Sequence, residues 1–543
     1  VSTSGSPVVH GLSILALVAL AVGSRAWFLS GRLHGWDPVQ HALGLDQFSV
    51  FLHRPHPPGA PTYHGLLRAV HLLVPDLTLT VLWVGVALAV CAVLAAWVFA
   101  RELAPISGAA RPGLAALLVL VSPGLWSDGV AGGSAGGDAA LAALVGLFCL
   151  RTIKRGALRD VVLGSLVLGV LIGFRQNVNL ASLAMVPLWL WSLWRLPVGR
   201  RLAGVGVLAA ACAAWAIPTA LATGGWSAWL GPTVEHWRTA NTQSLVVAGS
   251  TPGAVIALVK GMVKLAIEYI GLASIPVAAA LVLVIASGAW RRSLALAFTL
   301  WWLLPMAAAA LVAPYHVDEY YAVALPVVCW WGVVGMVLLS DLVGRAIPRL
   351  RLARGFPVGL LGSAVCLAST ATVVVGNGAL FLGHQMKSVD FQAERYYAIL
   401  DRVAEDFDPS TTMILSSGLG QRYACLYLPG YVSLYLPVVE GGDWPFAGRI
   451  SIDGAEEILT EPSGAVPDYG RTIRTLVITE PFHPVVCSSS LGIEDRKGMF
   501  RLAQTPTGEI VVHYDAAAYR VDLAGAEPVC GCSGGEDGNE PQQ

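Results

Sequence analysis

The sequence predicts a polytopic α-helical membrane protein of about 11 transmembrane helices, closed by a small C-terminal extracytoplasmic α/β domain. Three observations carry that prediction. Hydrophobic residues fill 55% of the 543 positions, charged residues only 13%, and mean hydropathy is +0.65, so the bilayer is the first solvent to consider. Apolar runs approaching the roughly 20 residues of a spanning helix recur over the first 383 positions. Past Leu382 the chain turns polar and its hydrophobic pattern shortens.

The apolar runs lie near 8–29, 77–100, 112–125, 136–151, 160–174, 177–195, 202–223, 272–290, 293–312, 320–341 and 356–383. In lipid every backbone polar group is satisfied within its own segment, and runs this apolar imply helices rather than a barrel. The first run exceeds a signal-peptide core, lacks an A-x-A site and leads into ten more, so it is expected to stay as the first helix. Alternate connections (101–111, 151–159, 195–201, 291–292 and 345–354) hold 15 Lys and Arg, whereas the other, longer set holds seven: Arg32, Arg54, Arg68, Arg175, Arg238, Lys260 and Lys264. The positive-inside rule then puts the N-terminus in the cytoplasm and everything after residue 384 outside a cell membrane.

The domain organisation that follows is a transmembrane region over 1–383, an extracytoplasmic α/β domain over 384–525 and a disordered tail over 526–543. The second region shows strand-like runs "TMILSS", "RTLVITE" and "EIVVHYD" and a helical pattern "FQAERYYAILDRVAEDF". The tail "CGCSGGEDGNEPQQ" is Gly-rich and acidic. Five of nine cysteines fall in apolar runs as small filler, while Cys425 and Cys487 lie in the outer domain, where an oxidising compartment leaves pairing open to them. A formal net charge of −1 gives no reason to expect nucleic acid.

With that topology the unusual polar residues gather outside. They are Asp37, Asp46 and His56 in the first outer loop, Asp128 and Asp138 around the second, and Arg175 in the short "GFRQN" turn. Later come Glu235, His236 and Arg238, then His316, Asp318, Glu319 and Tyr320. Lone carboxylates such as Asp46, Asp128 and Asp318 read as solvated surface charges. Asp37 follows Trp36 at the water–lipid boundary, where partial desolvation raises a carboxylate's pKa and suits it to act as a base. Asp138 either caps a helix or serves a site. Arg175 either snorkels or grips a phosphate with its planar fork. His316, Glu319 and Tyr320 form a polar cluster at the same depth. In "HRPHPPGAP" four prolines forbid a helix and make a stiff arm, which leads into "TYHGLLRAVHLLV". There Leu66, Leu67, Val70, Leu73 and Val74 suit a helix lying on the membrane surface.

An early Asp in the first outer loop, "PHPPG" with its following Pro, Tyr and "LR", an interfacial helix, many spans and a closing outer domain together resemble the GT-C superfamily of polyprenyl-phosphate-sugar-dependent glycosyltransferases. The nearest likeness is to protein O-mannosyltransferase-like and aminoarabinose-transferase-like bacterial members. "SPGLWSDGVAGGSAGGDAAL", "GVLIGFRQNVNLASLAMVPLWLW" and "PYHVDEYYAVALPVV" extend it over roughly residues 10 to 340. Two departures stand out: Pro38 follows Asp37 where relatives often have Glu, and Gly59-Ala60-Pro61 stands where they continue Gly-Tyr-Pro.

The resemblance implies transfer of a sugar from a polyprenyl-phosphate carrier to an acceptor on the outer face, with inversion. Asp37 matches the general base. Arg175 and His316 match groups that neutralise the leaving phosphate, and His56, Glu319 and Tyr320 join them as substrate-binding residues. Asp138 matches a residue that positions the acceptor or binds a divalent cation, since some relatives use a metal and others do not. The partners implied are the lipid-linked donor, membrane lipids and an acceptor of protein, lipid or glycan. A flippase or transporter would need broken helices near midplane and inverted repeats; neither is legible in the sequence.

Overall fold

The computed structural model describes residues 7–29, 31–50, 54–107, 112–174, 181–242, 260, 263–264, 267–286, 294–312, 318–349, 358–385, 397, 400–416, 418–435, 449–452, 455–458, 475–478, 503–505, 508–512 and 519–521. It divides into two units, Val1–Val389 and Asp390–Gln543.

Every apolar run of the first unit contains helix, over most of its described residues. The helices are α1 (Pro7–Ala26), α2 (Trp36–Asp46), α3 (Pro61–His71), α4 (Leu77–Ser107), α5 (Pro112–Leu120), α6 (Pro123–Ala131), α7 (Ala135–Arg155) and α8 (Leu158–Phe174). They continue as α9 (Ala181–Leu193), α10 (Val198–Ala222), α11 (Trp226–Thr242), α12 (Ser274–Ala286), α13 (Leu294–Val312), α14 (Leu325–Arg349) and α15 (Val358–Leu380). Among the described residues six helices are long and apolar enough to cross a membrane, or seven if the bent pair α5–α6 is one span. The outward faces of the first unit's apolar helices carry exposed Leu15, Leu190, Val205, Leu221, Val282 and Leu304. Such a surface is stable against lipid and unstable against water.

The helices alternate in direction, as close approaches show. Gly85 of α4 lies against Gly132, just ahead of α7, and on α7 Gly136 lies against Leu88 and Ala89 and Gly146 against Phe99, with both numbers rising together. The two helices therefore run parallel, and α5–α6 carries the chain back between them. The same test makes α8 and α10 parallel (Gly169 on Ala211, Gly173 on Trp215) and α7 and α8 antiparallel (Gly137 on Phe174, Gly164 on Phe148). Gly332 on Val277 and Gly335 on Pro276 and Ala280 make α12 and α14 parallel.

Three features differ from expectation. First, α5 and α6 meet at 56°, so the fold does contain a broken helix that the apolar composition hid. Buried Arg25 of α1 donates to the carbonyl of Leu120, the last residue of α5, at 3.0 Å, satisfying an acceptor the break leaves open. Because Arg25 is the penultimate residue of α1, the break lies towards an end of the bundle. Second, residues 36–46 and the stretch beginning "TVEHWRTANT" are helices, α2 and α11, rather than loops. Third, the stripe expected on α3 is divided: Leu67 is buried, whereas Leu66 and Leu73 are exposed, and the inward face is Tyr63, His64 and Leu67.

The second unit holds α16 (Gly418–Tyr427) and an eight-stranded sheet of β1 (Thr412–Ser416), β2 (Val432–Tyr435), β3 (Arg449–Ile452), β4 (Ala455–Ile458), β5 (Thr475–Ile478), β6 (Ala503–Thr505), β7 (Gly508–Val512) and β8 (Tyr519–Val521). The order is β4-β3-β2-β1-β5-β8-β7-β6. The centre is parallel, with Ile414 beside Ser433 and Val477, and the flanks are antiparallel. Cys425 lies half-buried in α16. Cys487 and the tail fall outside the described residues.

Candidate functional site

The site begins where α1 gives way to α2. Gly35, at φ +95° in a region L side chains avoid, turns the chain into the helix. Pro38 is tolerated because it stands in the first turn, where no intrahelical N–H is missed. Asp37 sits in that same turn, so the helix dipole favours its ionised form. Spacing then decides what shares its face. Gln40 and His41, three and four residues on, are buried beneath it, while Asp46 ends the helix exposed to solvent.

The proline arm comes back over this face. Ser49 and Arg54 exchange two backbone hydrogen bonds of 2.8 Å, closing a hairpin. His56 then accepts one of its own from Gly59, 2.9 Å away. The His56 Nδ1 stands 3.5 Å from Asp37 Oδ1, with the side chains 19% and 27% exposed. The backbone N–H of His56 donates to Gln40 Oε1 at 3.0 Å. Two carbonyls further, Pro58 accepts a 2.9 Å bond from the indole N–H of Trp229 on α11.

Beneath the arm α3 packs on α2. The rings of His41 and Tyr63 meet edge-on at 4.7 Å, and His41 and His64 lie 5.5 Å apart. Gly44 makes the approach possible: a Cβ there would stand 2.6 Å from His64 Nε2. His64 is buried with neither ring nitrogen hydrogen-bonded, and burial pushes its pKa down to about 3.

The other expected residues distribute as follows. Asp138 is buried in the first turn of α7. The capping bond at that helix start is made instead by Asp128, whose Oδ2 accepts the Ala135 N–H at 2.9 Å; Asp128 is thus half-buried and structural rather than a solvated charge. Gly137, beside Asp138, lies under the Phe174 ring, which in turn meets Tyr63 at 5.1 Å. Thr62 also donates to the carbonyl of Val170 at 3.0 Å. The start of α7, the end of α8 and the α2–α3 block therefore share one end of the bundle. Glu319 and Tyr320, described at the backbone only, fall in a 3-10 helix, Asp318–Val323, that packs against α6 and α7. Arg175 and His316 lie outside the described residues; Phe174 is the last described residue before Arg175.

Sequence reading missed Gln40 and Trp229. Gln40 was discoverable once 36–46 is read as a helix, since i+3 places it beside Asp37. Nothing in the sequence links Trp229 to a carbonyl 171 positions away.

No family model matches the chain, and no curated protein matches it. Solved structures do. ArnT from Cupriavidus metallidurans bound to undecaprenyl phosphate is 15% identical, with a TM-score of 0.59 over 94% of this chain and 98% of that one. The apo state of the same protein is 14% identical, with a TM-score of 0.58 over 95% and 98%. The apo oligosaccharyltransferase of Archaeoglobus fulgidus is 14% identical at TM-score 0.51, over 78% of this chain and 63% of that one. At this identity the likeness speaks for architecture alone: the chain shares its polytopic helical fold with ArnT.

Proposed function

We propose that the protein is a membrane glycosyltransferase that moves a sugar from a polyprenyl-phosphate carrier to an acceptor on the outer face, inverting the anomeric carbon, with Asp37 as general base. The observation that carries this reading is the meeting of Asp37 and His56 at one end of a bundle whose fold matches ArnT, solved with undecaprenyl phosphate, over nearly all its length. The N-terminus is assigned to the cytoplasm and residues 384–525 to the outside, on the distribution of Lys and Arg.

An acceptor hydroxyl is a poor nucleophile at neutral pH. The Asp37 carboxylate takes its proton as the oxygen bonds to the anomeric carbon, and the bond from that carbon to the carrier phosphate breaks with its electron pair going to the phosphate oxygen. The developing charge needs cations. His56 on the arm is placed to supply one when protonated, and Arg175 and His316 keep the phosphate-binding roles expected from sequence. Asp138, Glu319 and Tyr320 are assigned to substrate binding on the same ground. Among the described residues no three His, Cys, Asp or Glu converge to hold a divalent cation.

A flippase reading draws on one observation, the α5–α6 break. Its position beside Arg25, near the end of α1, is not the midplane that a carrier's broken helices occupy. The test is to supply purified protein with a panel of polyprenyl-phosphate sugars and acceptors, beside Asp37→Asn. Transfer by the wild type and its loss in the variant, with carrier binding retained, is the expected result. Transfer by Asp37→Asn near the wild-type rate would remove the base assignment. No transfer by the wild type, together with movement of a lipid-linked substrate across vesicles, would install the flippase.

A further inference from the structure

The proline arm has no regular secondary structure, so each of its backbone polar groups needs a partner from elsewhere. Pro57 and Pro58 have no N–H to offer. Two of the bonds that tie the arm to neighbouring helices come from different elements, α2 and α11. Gln40, 2% exposed, accepts the His56 N–H from α2 at 3.0 Å. Trp229, 5% exposed, donates to the Pro58 carbonyl from α11 at 2.9 Å. Trp229 also packs with Val50 and Ala220 against Phe48, Trp215 and Ala216, so its ring is fixed independently of the bond it makes.

The geometry points to Gln40 and Trp229 as positioning residues that hold His56 against Asp37. Gln40 is one turn from Asp37 on the same helix, so α2 grips His56 twice, by its backbone and by its ring. Trp229 adds a second tie two residues further along the arm, from α11. This inference rests on reading Asp37 and His56 as the reacting end of the site, and it adds which residues set their separation.

The test follows the ring of His56 in the full-length protein, histidine-labelled and in detergent, using the NMR signal that His56→Gln removes. A carboxylate at this range favours imidazolium, so Asp37→Asn is expected to weaken His56 proton binding by about tenfold. Gln40→Met keeps the volume and loses the acceptor; Trp229→Phe keeps the aromatic packing and loses the donor. With the clamp released, adding Asp37→Asn to Gln40→Met is expected to change His56 proton binding by less than about threefold, and the Trp229→Phe background to show an intermediate change. An undiminished tenfold response in both backgrounds overturns the clamp. If Gln40→Met does not insert or fold, Trp229→Phe decides alone.

The transfer assay reports separately. In a wild type that transfers sugar, Gln40→Met is expected to lower kcat by about 10- to 100-fold with donor KM changed less than about threefold, since misplacement rather than lost binding is the defect. A wild type that transfers nothing removes the proposed function, and the His56 titration still decides the clamp.

Discussion

The two ends of the bundle use charge in opposite ways. At one end Glu102 of α4, 12% exposed, meets Arg151 at 3.0 Å, Lys154 at 3.2 Å and Arg155 at 3.2 Å, all on α7. One carboxylate there is met by three basic side chains, and the cluster fastens two parallel helices side by side. At the other end Asp37, in the first turn of α2, faces the imidazole of His56 at 3.5 Å. The contrast teaches that charge density is a poor guide to chemistry. A carboxylate bonded to three basic side chains is a fastener, whereas one beside a single imidazole keeps a lone pair available for a proton.

The sharpest way to break this comparison is to neutralise each carboxylate. Asp37→Asn is expected to lower sugar transfer on the order of 10²- to 10⁴-fold while thermal unfolding stays near that of the wild type. A comparable loss from Glu102→Gln in the same assay would erase the distinction between the ends.

Next in size is an effect of acid on the α2–α3 block. The folded pKa of His64, about 3, lies below the ordinary 6.5 of the unfolded chain, so the unfolded state binds the extra proton first. Stability is then full above about pH 6.5 and falls as pH drops towards 3. Unfolding midpoints measured between pH 7 and 4 should slope downwards, and His64→Leu should flatten the slope. A slope unaltered by that substitution would move acid sensitivity elsewhere.

A smaller effect belongs to the fastener. Glu102→Gln should destabilise by about 1–2 kcal/mol, as expected for a partly buried network rather than an exposed pair, read as a lowered unfolding midpoint with transfer within about twofold. The smallest concerns Asp46, exposed at the last position of α2. Asp46→Asn should change stability by less than about 0.5 kcal/mol and leave transfer unaltered. A large loss of transfer there would shift the reacting end along α2.

Legibility followed physics. The eleven apolar runs were readable because hydration free energy adds along a window and needs no knowledge of neighbours. The arm and α3 were readable because Pro61 stands at the start of a helix whose missing N–H costs nothing. By contrast α2 was read as loop: Gly44 lowers its helix propensity, and Asp37, Gln40 and His41 mask its inward face. Its stability comes from packing against α3 and α4, a tertiary term that local reading cannot sum. Likewise Asp128 reads from sequence as a solvated charge, and Asp138, ten residues on, as a helix cap or a site residue. Only the turn between α6 and α7 made one a cap and left the other buried.

By itself the sequence determined that this is a helical membrane chain, which way its basic loops argue it is oriented, and that Asp37 and a histidine-bearing proline arm lie close together along the chain. Those properties are local, set by the solvent preference of each segment and by the fixed φ of proline. The tertiary structure alone decided that His56 faces Asp37, that Gln40 and Trp229 hold the arm, and that the start of α7 and the end of α8 meet α3 through Phe174. Each of those contacts joins groups far apart in sequence, and which of many polar residues meet is set by helix direction and close packing.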